Sequence, residues 1–102
     1  MSKSLNYNDG KERPSLILKD MRFAFKECLK VRENGAKKYD RMNFIQSKGT
    51  DDAGKFLEDN LDSIYRHLDS VASGEVIDWQ SRHYHMAHVA IRAMFALEYL
   101  EL

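Results

Sequence analysis

From Ser81 to Leu100, the apolar residues Tyr84, Met86, Ala87, Val89, Ala90, Ile91, Met94, Phe95, Leu97 and Leu100 cover most of the circumference of a helix. A helix that is apolar nearly all round must be surrounded by other elements. This segment therefore belongs at the centre of a bundle. Two other stretches are fit to surround it. Leu18, Met21, Phe25, Cys28, Leu29 and Ala36 recur at helical spacing. They predict a helix opening at Pro14-Ser15 with Ser15 as N-cap, burying one face, and ending near Asn34 with Gly35 as the left-handed residue beyond it. Leu57, Leu61, Ile64, Tyr65, Leu68, Val71 and Ala72 predict another, capped by Asp51 or Asp52 and stopped by Gly74. The link from Glu75 to Ser81 is short, so the last helix turns back onto its predecessor.

No segment alternates with the period of a strand, and no internal repeat is present. The expected fold is all-α: a small bundle of three to four helices. With 102 residues the chain is long enough for one domain, 1–102, with a polar N-terminal segment over 1–13 and a connector over 36–52. That connector is longer than most links between helices, and such loops often serve a site. So wide an apolar girth in so short a chain favours completion of the core by a second copy, a homodimer.

Composition narrows the function. Sixteen basic residues balance sixteen acidic ones, so no global field draws the chain to nucleic acid or to an anionic membrane. No helix presents the basic face of a DNA reader. No apolar run approaches the ~18 residues of a membrane span, and residues 1–11 lack the apolar stretch of a signal peptide. Cys28 is the single cysteine and has no intramolecular disulfide partner. Lying on an apolar stripe, it reads as a small buried hydrophobe rather than a reactive thiol. The expected location is the cytoplasm.

Chemistry is concentrated on the last helix. His85, His88 and Arg92 stand at i, i+3 and i+7, within about 60° of one another around the axis. Ser81 extends their line upstream. Apolar residues flank this polar line, so it faces the bundle interior or a cleft, where an unpaired polar group costs on the order of 1–3 kcal/mol. Partners are available in Glu75 and Asp78 just before the helix. Glu27, Glu33, Asp59 and Asp62 are further acids, although Glu27, Asp59 and Asp62 fit a solvated helix face better. His67 flanks the apolar stripe of the second long helix and can look into the same space, so that three of the four histidines converge. His83 falls off the line and is expected to be exposed. The His-x-x-His spacing alone is weak evidence for a metal; histidines bonded to neighbouring acids are the commoner outcome.

Ordered along the chain, these stretches resemble a known pattern. Asn8-Asp9-Gly10-Lys11, Gly35-Ala36-Lys37-Lys38-Tyr39 and Asn43-Phe44 come first. Arg66-His67-Leu68, Gly74-Glu75-Val76-Ile77-Asp78-Trp79-Gln80-Ser81 and His85-Met86-Ala87-His88 follow. The set is similar to that of the phage-type MazG-like dATP/dGTP pyrophosphohydrolases, and the likeness covers nearly the whole chain. Arg92 stands where that pattern usually has Asn, and Arg82 where it commonly has Gly. The acidic motifs by which typical MazG-type enzymes hold magnesium are not intact.

The resemblance implies a MazG-like helical domain that cleaves a nucleoside triphosphate such as dGTP or dATP into monophosphate and pyrophosphate, in the host cytoplasm if phage-encoded. Such cleavage needs cations on the phosphate oxygens and an activated water. Glu75, Asp78, His85 and His88 are the implied catalytic residues. Lys11, Lys37, Lys38, Tyr39, Asn43, Arg66, His67 and Arg92 are the implied substrate contacts. Mg2+ or Mn2+ is the implied cofactor, with Glu33, Glu75, Asp78 and His88 as its ligands. A non-catalytic helical interaction protein that keeps the scaffold is the alternative, favoured by Arg92 and by the missing acidic motifs.

Overall fold

The computed structural model describes residues 9–39, 41, 48–49 and 54–101. Asn43, Phe44 and the proposed caps Asp51 and Asp52 lie outside the described residues. Four helices are described in full: α1 (Ser15–Leu18), α2 (Arg22–Lys38), α3 (Lys55–Ala72) and α4 (His85–Glu101). Among the described residues there is no strand beyond a single antiparallel bridge between Ile77 and Tyr84. The all-helical reading holds.

The helix expected from Ser15 to Asn34 is two helices, and it ends later. Pro14, with φ −56°, occupies the cap position of α1, and no side chain caps it. The backbone leaves the helical region at Met21 (φ −115°, ψ 44°) before α2 begins. Apolar spacing cannot register so brief an excursion, because the side chains on either side keep the same rhythm. At the other end Gly35 stays helical, and the Tyr39 N–H donates to its carbonyl at 3.0 Å. Ala36, Lys37 and Lys38 are good helix formers, and the two lysines sit in the last turn, where cations suit the helix dipole. Together they outweigh the roughly 0.5–1 kcal/mol that a mid-helix glycine costs.

Helix α3 ends as its sequence predicts. Gly74 takes φ 97°, its N–H donates to the Val71 carbonyl, and the Glu75 N–H reaches back to the Ser70 carbonyl, both at 2.9 Å. This paired C-terminal closure requires a left-handed residue at Gly74 and fixes where Glu75 leaves the helix. Helix α4 starts at His85 rather than Ser81. Residues 75–84 are instead a tight turn, held by Asp78 N–H to the His83 carbonyl at 2.9 Å and His85 N–H to the Val76 carbonyl at 3.1 Å.

Helix α4 packs against both α3 and α2, but it is not surrounded as its apolar girth predicts, since Met86, Met94, Leu97 and Leu100 are exposed. Val31, Ala87 and Ile91 form the buried cluster, with Cys28, Tyr84 and Phe95 packed against it. On the other side the Phe56 and Tyr99 rings stack at 5.1 Å. The face expected to be buried on the first helix is mostly not covered: Leu18, Met21, Phe25 and Leu29 are exposed, and Val31 is the buried residue of α2. The C-terminal half of α2 meets α4, while in its N-terminal half Phe23 packs edge-on against Tyr84, just before α4, at 5.6 Å.

Candidate active site

Two features meet beside the start of α4. The first is a group of imidazoles and carboxylates built on the turn over residues 75–84. His85 is 4% exposed, and its Nε2 lies 2.9 Å from Glu75 Oε1. A carboxylate oxygen accepts, so His85 carries a proton on Nε2, and in the neutral ring this leaves Nδ1 bare. That Nδ1 is 2.8 Å from Nδ1 of His67, which therefore donates. His67 also stacks flat on His88 with ring centroids 4.6 Å apart.

Ser81 joins His88 to Asp78. Its hydroxyl donates to Asp78 Oδ2 at 3.0 Å, so the contact of 2.8 Å between Ser81 Oγ and His88 Nε2 is a donation from the ring. The His83 N–H donates to the same oxygen at 3.2 Å. Asp78 Oδ1 accepts from the Gln80 N–H at 3.1 Å.

These contacts set the charge states. Burial pushes the His88 pKa down to about 4, reinforced by the neighbouring His67. The His67 pKa is lowered by the same two causes, burial and then its histidine neighbour, here His85. Burial alone would raise the pKa of Asp78. The hydrogen bonds from Gln80 and Ser81, with His88 and His85 close by, outweigh it and hold the carboxyl below its ordinary value. Near neutral pH the group thus presents uncharged His67 and His88 rings beside an ionised Asp78.

The second feature is a cleft of ≈ 410 Å³ between the C-terminal half of α2 and the middle of α4, within the size range of small-molecule sites. Arg32, Lys38, Arg41 and Arg92 supply cationic side chains to its wall, and Tyr39, Phe56 and Phe95 supply rings. No carboxylate is among its described lining residues. Arg32 is held by donation to the Arg41 carbonyl at 2.8 Å and lies 5.2 Å over the Phe95 ring. Arg92 donates to Asn60 Oδ1 at 3.4 Å, and Asn60, 1% exposed, donates in turn to the Phe56 carbonyl at 2.9 Å. His88 and Ser81 line the cleft too, so they are the wall shared by the two features. The arrangement suits a polyanion carrying a flat ring.

The structure brings together Glu75, Asp78, His67, His85 and His88 at one feature, and Lys38, Tyr39, Arg92 and His88 at the other. It does not bring Glu33 or Lys37 to either. The α2 residues on the cleft are Val31, Arg32, Asn34, Gly35 and Lys38. At about 100° per residue, Glu33 and Lys37 fall on the opposite side of the helix, and both are exposed. Arg66 is exposed on α3 and Lys11 in the N-terminal turn, and neither lines the cleft.

Asp59 pairs with Lys55 at 2.9 Å on the exposed face of α3, as expected, whereas Glu27, paired with Lys30 at 2.6 Å, is half-buried rather than solvated. His83 is half-buried rather than exposed, 6.2 Å from the His88 ring, because the turn over 75–84 folds it back. Arg32, Arg41 and Asn60 were missed from sequence. A signal existed for Asn60, a polar residue amid the apolar spacing of Leu57, Leu61 and Ile64. Arg41 has none, since its place depends on how the chain leaves α2.

No curated protein and no solved structure matches the chain significantly. A family model described as dATP/dGTP diphosphohydrolase, N-terminal, matches residues 1–102. With a cleft suited to a polyanion and a match that spans every described element, this chain belongs to the dATP/dGTP diphosphohydrolase N-terminal family.

Proposed function

We propose that the chain binds a purine deoxynucleoside triphosphate in the cleft between α2 and α4 and hydrolyses it to the monophosphate and pyrophosphate. The observation that carries this reading is the cleft wall, with four cationic side chains, three aromatic rings and no carboxylate among its described residues. Membership in a family described as dATP/dGTP diphosphohydrolase, N-terminal, supports the substrate class.

In this reading Arg32, Lys38, Arg41 and Arg92 meet the triphosphate oxygens, and Tyr39 and Phe56 flank the base. Charge neutralisation falls to the guanidinium and ammonium groups, because a histidine with its pKa at about 4 is uncharged at neutral pH. Arginine suits the task through its fixed fork of donors. Water attacks the α phosphorus, the bond from that phosphorus to the bridging oxygen breaks, and pyrophosphate leaves with the electron pair. In this reading His88 Nδ1 takes the proton of that water, while the His88 Nε2 proton passes to Ser81 and the Ser81 hydroxyl proton passes to Asp78.

A divalent cation, when bound, supplies further neutralisation of the phosphates. The ligand set expected for Mg2+, Glu33, Glu75, Asp78 and His88, is not gathered at one point, since Glu33 lies on the far side of α2. The described residues therefore do not offer the oxygen-rich cage magnesium prefers. We also propose that the chain works as a homodimer.

The test is to incubate the purified chain with dGTP, dATP and the other common nucleotides, supplying Mg2+, Mn2+ or Zn2+, and to resolve the products by chromatography. Monophosphate and pyrophosphate are expected. Arg92→Ala should raise KM about tenfold or more, the loss of a charge-assisted contact worth roughly 1.5–3 kcal/mol. No turnover of any nucleotide under any of these ions would sink the proposal and leave a helical interaction protein.

A further inference from the structure

We infer that His67, Asp78 and His85 form a binding site for a divalent transition-metal ion of the zinc class, not for magnesium. One ring nitrogen of His67, one of His85 and a carboxylate oxygen of Asp78 all lie within 4.8 Å of one another. The Nδ1 atoms of the two rings are 2.8 Å apart. They come from different elements, α3 and the first residue of α4, so their convergence is a product of the fold and not of local spacing.

Three physical points favour this ion class. The bare lone pair on His85 Nδ1 is fixed by Glu75, which takes the Nε2 proton at 2.9 Å. A carboxylate behind a histidine in this way orients the ring and raises its basicity toward a metal. Next, the donor set is two nitrogens and one oxygen. That suits zinc, whereas magnesium seeks about six oxygens and retains water in preference to imidazole. Finally, the spacing is nearly right. Nitrogens about 2.0–2.1 Å from a tetrahedral ion stand about 3.3–3.4 Å apart, so the two rings need to part by roughly half an ångström. In the metal-free chain His67 donates its Nδ1 proton to His85. On loading, His67 carries that proton on Nε2 instead, with no net change in charge on the ring.

Three protein ligands leave a fourth position open, the pattern of a working rather than a purely structural zinc site. The group adjoins the cleft through His88, which stacks on His67 and lines the cleft. This inference rests on donor geometry and is separable from the nucleotide reading.

The test titrates the chelator-stripped full chain with Zn2+ and separately with Mg2+ by calorimetry. One zinc per chain is expected, bound at least about a hundredfold more tightly than magnesium, in keeping with imidazole's preference among these ions. His67→Ala should abolish tight binding, and Glu75→Gln should weaken it about 10–100-fold, while His83→Ala should leave it unchanged.

His85 is buried and its replacement can unfold the domain, so the unaltered chain is also loaded with Co2+. Visible bands of four-coordinate nitrogen and oxygen ligation support the assignment; the weak spectrum of six-coordinate aqueous cobalt overturns it. Equal affinity for the two ions, or zinc binding indifferent to His67→Ala, likewise overturns it. Nucleotide turnover with Mg2+ and no measurable zinc affinity overturns the metal assignment alone. Tight zinc binding without turnover supports it and counts against the nucleotide reading.

Discussion

Arg82 occupies the left-handed region with φ 66°, at the position where the resembled pattern commonly has Gly. A side chain there costs about 1–2 kcal/mol, part of which a glycine gives back by gaining freedom in the unfolded chain. Arg82→Gly is therefore expected to stabilise the domain by about 0.5–1 kcal/mol, read as a higher urea midpoint with unchanged slope. His88 allows a second prediction. Its pKa falls from 6.5 to about 4 on folding, so between those values the unfolded chain binds more protons than the folded one. The stabilisation from keeping His88 neutral is complete above pH 6.5 and is lost as pH falls toward 4. His67 shifts in the same direction. Thermal melts of the chelator-treated chain should show Tm dropping across that window, and His88→Gln should flatten the slope. A Tm level from pH 7 to 4 would contradict the burial of this ring.

Each helix brings chemistry to the site through the way it ends. The closure at Gly74 sets Glu75 where it can reach His85, and the extra turn of α2 beyond Gly35 delivers Lys38 and Tyr39 to the cleft. Gly35 needs no special conformation: it is helical, and a Cβ built there meets nothing within 4 Å. Gly35→Ala should therefore stabilise α2 by roughly 0.5–1 kcal/mol, measured by chemical denaturation. A loss of stability would mean that the last turn of α2 is not helical in solution. The ends of α2 and α4 were misread from sequence for related reasons. Gly35 looked like a stop because a glycine's conformational freedom is visible in sequence, while the combined helix preference of the three residues after it is easily overlooked. Ser81 looked helical because its spacing from His85 and His88 fits a helix, though it reaches His88 from a turn.

Few large apolar side chains are buried among the described residues. Ile91 and Tyr99 are buried, while Leu16, Ile17, Leu18, Met21, Phe25 and Leu29 along α1 and α2, and Met94, Leu97 and Leu100 on α4, are exposed. Exposed large apolar side chains in this number fit an interaction surface. No described helix is long and apolar enough to cross a membrane, and we propose that a second copy covers it. Light scattering on the eluting protein should give twice the 11.9 kDa chain mass. Phe25→Asp and Leu29→Asp together should return it to the chain mass. A wild-type monomer at micromolar concentration would remove the dimer proposal and leave the cleft and histidine group as they stand.

Helical periodicity, the stop at Gly74 and the inward line of His85 and His88 could be read from the chain directly, since each depends on residues within two turns of one another. The approach of His67 to that line was legible as a possibility, from its place beside an apolar stripe. Pairing His67 Nδ1 with His85 Nδ1, placing Arg32 and Arg41 beside Arg92, and turning Glu33 away all depended on how α2 and α3 rotate against α4. Packing Val31 against Ala87 and Ile91 seats α2 on α4, the stack of Phe56 on Tyr99 seats α3, and no local pattern encodes the angle at which helices distant in sequence meet.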